Sequence, residues 1–250
     1  MCVTATSCIF DSTSELNVRT VSAHPAVVSL EALRFAWPGM AKPLLSIDEW
    51  QLGAGEQVFV FGPSGCGKST LLSLIGGVQL AQRGRVSVLQ QDLSRLSGAR
   101  RDRYRVDHIG FIFQQFNLIP YLSALENVLL PLRFSARRAQ RIQEADIHHE
   151  AHRLLRALDV APALAGQPAR RLSVGQQQRV AAARALIGRP ELVIADEPTS
   201  SLDAERQRAF LQLLASECLL SGASLLFVSH DQRLADGFDR VLDLSAINHA

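Results

Sequence analysis

The stretch Gly62-Pro63-Ser64-Gly65-Cys66-Gly67-Lys68-Ser69-Thr70 constrains this chain more than any other. It fits GxxxxGK[ST] between an apolar run of strand type and an apolar run of helix type. The run before it, Gln57-Val58-Phe59-Val60-Phe61, is rich in β-branched and aromatic side chains. Behind it, Leu71, Leu72, Leu74 and Ile75 recur at helical spacing. Strand, glycine-rich loop and helix in that order make a phosphate-binding loop. Small residues let backbone N–H groups turn toward phosphate oxygens, and the helix N-terminus adds partial positive charge at the same point. Lys68 is expected to reach the β and γ phosphates. Ser69 is expected to offer its hydroxyl to a Mg²⁺ that bridges them, because hard cations take oxygen ligands.

The whole chain sets wider limits. Its 250 residues are 47% hydrophobic and 20% charged, a composition of folded globular domains rather than of disorder. No apolar run approaches the roughly 18 residues of a membrane-spanning helix. The start, Met1 to Cys8, lacks the charge and apolar stretch of a secretory signal, so a cytoplasmic location is expected. Cysteines at 2, 8, 66 and 218 have no metal spacing, and one sits inside the phosphate loop, so reduced thiols are expected. Formal net charge is only +2, but Arg95, Arg100, Arg101, Arg103 and Arg105 cluster. Such a cluster reads first as a solvated face, with acidic lipid headgroups or a partner subunit as the alternative. Lysine occurs only at positions 42 and 68, so Lys68 stands out against an arginine-dominated charge. A compact ammonium suits a phosphate cradle that a guanidinium fork could not enter.

In chain order, residues 1–25 lack sustained periodicity and are expected to form a mobile or loosely docked extension before a domain spanning 26–250. Val27 to Phe35 and Leu44 to Leu52 predict two strands around a Pro38-Gly39 turn, an antiparallel hairpin. Trp37, just before that turn, is either a face on which a nucleotide base stacks or a packing aromatic. Further strands are expected at Arg85 to Leu89 and His108 to Phe113, with a basic helix between them from Leu96 to Val106. Ser123 to about Val160 reads as helical, broken at Pro131, with one long amphipathic segment from Arg137 to Leu158. His148 and His152 within it have i,i+4 spacing but lack HExxH and read as a solvated face. Ser173 is placed as the N-cap of a helix running through Leu186 and ended by Arg189-Pro190.

Leu192 to Glu197 is an apolar run that closes on two carboxylates, where ligands sit in open parallel sheets. Leu225 to Asp231 repeats the arrangement with His230 at its tip. An ATPase with a phosphate loop needs such acids. Asp196 is expected to hold the Mg²⁺ site, and Glu197 to polarise the attacking water as general base.

Taken together, these residues resemble the nucleotide-binding subunit of ATP-binding cassette transporters from about Val27 onward. Gly62 to Thr70 is similar to Walker A, Gln114 to the Q-loop glutamine and Leu172 to Gln176 to the LSGGQ signature. Leu192 to Glu197 is similar to Walker B, Ser200 to Asp203 to the D-loop and His230 to the switch histidine. The resemblance implies an α/β P-loop NTPase fold with an antiparallel β subdomain and an inserted α-helical subdomain at about 115–175. It also implies ATP hydrolysis with Mg²⁺, and Trp37 as the adenine-stacking aromatic. It implies a head-to-tail homodimer in which Ser173, Gly175 and Gln176, with Asp203, contact the nucleotide held by the other copy's Gly62 to Thr70. His230 would bind the γ-phosphate and align Glu197, and Gln114 would link Mg²⁺ and water to the membrane partner. Val174 departs from the pattern, which has glycine there; this carries a cost if the residue needs positive φ and little if it is helical.

Phe113 to Pro120 with Ala124 to Val128 is similar to the lipoprotein-release and macrolide-export group (LolD/MacB-like), whose partners are permeases of the FtsX/MacB type. A peripheral position on the inner face of the membrane, through that permease, is implied. An alternative is a mechanical regulator of the cell-division (FtsE-like) type, which signals through a permease-like partner without moving solute. Nucleic-acid ATPases of this fold carry a long coiled coil or a second cassette. The gap here is short and has no heptads, so no nucleic-acid partner is expected.

Overall fold

The computed structural model describes residues 25–142, 146–200 and 202–250. The extension expected over 1–25, apart from Pro25, lies outside the described residues, as do Cys2, Cys8, Glu144 and Ser201.

Two sheets form the frame. The antiparallel hairpin is β1 (Ala26–Phe35) with β2 (Leu45–Gly53), and β4 (Arg83–Val88) and β5 (Gln91–Asp92) extend it in the order β2-β1-β4-β5. The second sheet contains β3 (Gln57–Phe61), β6 (Ile109–Ile112), β7 (Leu192–Asp196), β8 (Ser224–Val228) and β9 (Arg240–Asp243), parallel throughout in the order β6-β7-β8-β3-β9. Its central strands read as unbroken apolar runs because both faces are covered. Val58, Val60, Leu192, Ile194, Leu226 and Val228 face a core shared with the antiparallel sheet. Phe59, Val193, Ala195, Leu225 and Phe227 face a second core under helices. In that second core Phe59 and Phe227 stack with centroids 5.8 Å apart.

The helices are α1 (Lys68–Ile75), α2 (Gly98–His108), α3 (Ala124–Phe134), α4 (Ala136–Arg141), α5 (Ile147–Ala157), α6 (Val174–Leu186), α7 (Ala204–Ser221) and α8 (Leu244–Ile247). No helix among the described residues is long and apolar enough to cross a membrane. The phosphate-loop helix α1 packs into the core between the sheets, while α3, α5, α6 and α7 cover the other face of the parallel sheet. At Gly110 this packing is so close that an added Cβ would stand 2.3 Å from the Ala185 carbonyl oxygen, so β6 and α6 touch backbone to backbone.

Three local expectations change. Pro131 lies inside α3 rather than breaking it, and the helix ends only at Ser135, whose N–H donates to the Pro131 carbonyl at 3.0 Å. The proline removes the bond to the carbonyl of Asn127 but leaves the next turn intact. The segment expected as one helix from Arg137 is two, α4 and α5, interrupted after Arg141. The arginine cluster is only partly a solvated face. Arg101 Nε donates to the Gly77 carbonyl at 2.7 Å and Arg105 Nη1 to that of Gly76 at 3.2 Å, placing two cations at the C-terminal end of α1.

Candidate nucleotide site

The parallel sheet delivers its motifs to one edge. β3 runs into the loop 62–67, β7 ends on Asp196 and Glu197, and β8 leads to Ser229 and His230. β6, paired with β7 at Ile112–Ala195, leads to Gln114. Each strand is parallel to its neighbour, so all of these tips lie at the same C-terminal edge.

Within the loop, Gly67 takes φ 99° as the N-cap of α1. No side chain caps that helix and no acid lies in its first turn. By contrast α2, α3, α6 and α7 start on Ser97, Ser123, Ser173 and Asp203, whose side chains accept backbone N–H bonds. The first N–H groups of α1 are therefore left to an external anion. Lys68 is 92% buried, and its Nζ donates to the carbonyls of Gly62 at 2.8 Å and Pro63 at 3.1 Å, which folds the ammonium back over the loop. Ser64, Gly65 and Ser69 are exposed, Thr70 is buried in α1, and the half-buried Cys66 directs its sulfur toward Gly62.

Ser69 and Asp196 meet across the two elements. Burial raises the Asp196 carboxyl above its usual range, the adjacent Glu197 adds to this, and the Ser69 hydrogen bond and the Lys68 charge oppose it. A hydroxyl and a carboxylate brought together beside a phosphate loop are hard oxygen donors of the kind Mg²⁺ takes. Next to them, Glu197 Oε2 lies 3.1 Å from His230 Nδ1. Glu197 adopts φ 43°, an unusual conformation for a residue with a side chain, and its N–H donates to the Val228 carbonyl at 2.9 Å. β7 and β8 thus fix the backbone of the acid as well as its partner.

Gln114 is exposed in a turn closed by Phe116 N–H to the Phe113 carbonyl at 2.9 Å. Trp37 is 38% exposed, packs edge-on against Phe35 at 5.2 Å and borders an open hollow of about 430 Å³ with Pro38, Met40 and Arg83. Ser173 and Gln176 form a reciprocal capping box on α6, with Gln176 N–H to Ser173 Oγ at 3.3 Å and Ser173 N–H to Gln176 Oε1 at 2.9 Å. Val174 is the first residue of α6, so it takes a helical conformation that valine tolerates. Asp203 caps α7 through Arg206 N–H at 3.0 Å. Among the described residues, no hydrogen bond joins Ser173, Gly175, Gln176 or Asp203 to the loop 62–70 of the same chain.

The ABC transporter family matches this sequence over residues 45–200. The chain belongs to the ABC transporter family. A lipoprotein-releasing system ATP-binding protein LolD from Syntrophotalea carbinolica is 39% identical over 81% of this chain and 86% of its own. The protein of the same name from Novosphingobium aromaticivorans is 42% identical over 87% and 96%. The ATP-binding cassette MJ0796, solved as a dimer in a post-hydrolysis state with ADP and Pi, superposes with a TM-score of 0.75 at 36% identity. That match covers 86% of this chain and 93% of the other. This ABC protein therefore has the α/β cassette fold implied by its motifs, binds ATP and is an ATPase.

Sequence reasoning missed two polar residues beside these motifs. Arg184 on α6 donates to the Phe116 and Asn117 carbonyls, and the fully buried Asn127 on α3 bonds Ile119, Leu122 and Ser123. Arg184 is one arginine among 24, with no spacing that marks it. Asn127 had a signal, a polar side chain on the apolar stripe of a helix.

Proposed function

We propose that this ABC ATPase drives a separate membrane permease of the FtsX/MacB type in export or in extraction of lipoproteins and other amphiphiles, from a position on the inner face of the membrane. Two copies would close head to tail over ATP. The observation that carries the catalytic part is the Glu197–His230 contact of 3.1 Å on adjacent strand ends, beside the grouped Lys68, Ser69 and Asp196.

In this reading the N–H groups of α1 and the Lys68 ammonium bind the phosphates. Trp37 stacks on the adenine, and Ser69, Asp196 and Gln114 would hold Mg²⁺. When bound, Mg²⁺ would supply positive charge that offsets the negative charge of the phosphates. Glu197 accepts a proton from water at its carboxylate, and His230 Nδ1 holds that carboxylate in place, leaving Nε2 for the γ-phosphate. Ser173 and Gly175 contact the nucleotide of the other copy. Support for that trans arrangement is the open space at Gly175, where among the described residues an added Cβ would meet only Leu202 Cδ2 at 3.7 Å, so none of them requires glycine there.

Support for the permease comes from the LolD relatives and from Phe113 and Tyr121, exposed at 39% and 71% at the start and just past the end of the stretch 113–120 that resembles the lipoprotein-release group. The test is coexpression with candidate permeases. Copurification and ATPase stimulation with a partner of four spanning helices and a large external domain are expected, and selective assembly with a six-helix permease would overturn the assignment.

A further inference from the structure

The loop that follows β6 leaves the sheet and then makes an unusual pair of turns. Phe116 and Asn117 take φ 59° and 49° in succession, a conformation that costs free energy at residues with side chains and persists where neighbours impose it. The neighbour is Arg184. Its Nη2 donates to the Phe116 carbonyl and its Nη1 to the Asn117 carbonyl, both at 2.6 Å. Among the described residues Arg184 forms no ion pair, and its half-buried guanidinium uses both terminal nitrogens on this loop. Farther along, Asn127 holds the loop again. Its Oδ1 accepts from Ile119 N–H at 2.8 Å, and its Nδ2 donates to the carbonyls of Ile119, Leu122 and Ser123 at 3.0–3.2 Å.

We propose that Arg184 is a positioning residue that ties the Gln114 loop to the helix opening on Ser173, with Asn127 pinning the loop's far end. Residues 116–123 then move with α3 and α6, and the free joint is confined to the few residues around Gln114, between the end of β6 and Phe116. Arg184 sits next to Ala185, where α6 rests directly on the Gly110 backbone of β6. That contact is a pivot, and Ser173 lies about 18 Å from it along the helix. A swing of the Ser173 end about this pivot turns the guanidinium and the two carbonyls it grips, and so shifts Gln114 relative to Asp196. The proposal rests on the reading of Gln114 as a residue of the nucleotide site.

The test is a double-mutant cycle on the full chain, comparing Gln114→Ala, Arg184→Met and both together by steady-state ATPase kinetics. Arg184→Lys is added because it keeps the charge but cannot bridge two carbonyls. Arg184→Met is expected to lower kcat about tenfold with KM for ATP changed less than about twofold. Arg184→Lys should fall between it and the wild type, and the double variant should be no slower than Gln114→Ala alone. Hydrogen exchange should quicken at the amides of 116–119 in Arg184→Met while those of α1 keep their protection, which separates the effect from misfolding. Losses that multiply in the double variant, or an unchanged kcat in Arg184→Met, would overturn the coupling. Unchanged exchange at 116–119 would overturn the clamp. Wild-type turnover in Gln114→Ala would instead overturn the reading of Gln114 on which the proposal rests.

Discussion

His230 Nδ1 lies 3.1 Å from Glu197 Oε2, and the two residues follow strands that are hydrogen-bonded to each other. The imidazole therefore holds an acid whose backbone is already fixed. Glu197→Gln keeps this shape and removes the base. Turnover should fall about a hundredfold or more while MgATP still binds. Gel filtration with MgATP should then show accumulated dimer, and a persistent monomer or near-normal hydrolysis would count against the role of Glu197.

Gly175 offers a test in the opposite sense. Among the described residues a methyl group there meets only Leu202, and alanine is the better helix former by about 0.5–1 kcal/mol, so Gly175→Ala should leave the monomer as stable as the wild type or slightly more so. Dimer formation and ATPase activity should nevertheless drop. A fall in monomer stability measured by urea denaturation would mean that the glycine serves its own chain.

Glu191, just before β7, gathers His108, Arg137 and Arg141 from two helices. Burial alone would raise its carboxyl, but the His108 and Arg141 hydrogen bonds outweigh that and hold it well below the usual range. A depressed folded-state value means that the stabilisation is present above the usual glutamate range and lost as pH falls below it. Glu191→Gln should cost about 2 kcal/mol at pH 7 and progressively less toward about pH 3. Urea midpoints across that range check it, and a pH-independent difference would exclude the ionic origin.

Cys66 is half-buried in the phosphate loop, whereas burial pushes the Cys218 thiol up to about 12 and makes it unreactive. A maleimide should abolish ATPase activity through Cys66, with MgATP protecting and Cys66→Ser resistant. Equal inactivation of both proteins would show that another thiol, Cys2 or Cys8 among them, is the sensitive one.

Much of this was legible because the relevant physics is local. The phosphate loop, the apolar runs of β7 and β8 and the Ser173 cap each follow from neighbouring residues. What escaped depends on distant groups. Pro131 stays helical because Ser135 restores the following turn and α3 packs on the core, and neither effect is visible in a window around the proline. Arg101 and Arg105 fold inward because a helix end some 25 positions earlier in the chain presents its carbonyls to them. Arg184 acts on a loop nearly 70 positions away.

Glu197 holds a left-handed backbone that glycine would adopt without strain, so the chain carries a cost of order 1 kcal/mol at the position where it needs a carboxylate. Replacing that residue by glycine should raise the melting temperature of a protein that no longer hydrolyses ATP. Selection for heat resistance alone would then favour the loss of catalysis at this position, and the trade-off between robustness and turnover in this cassette is concentrated in one backbone angle.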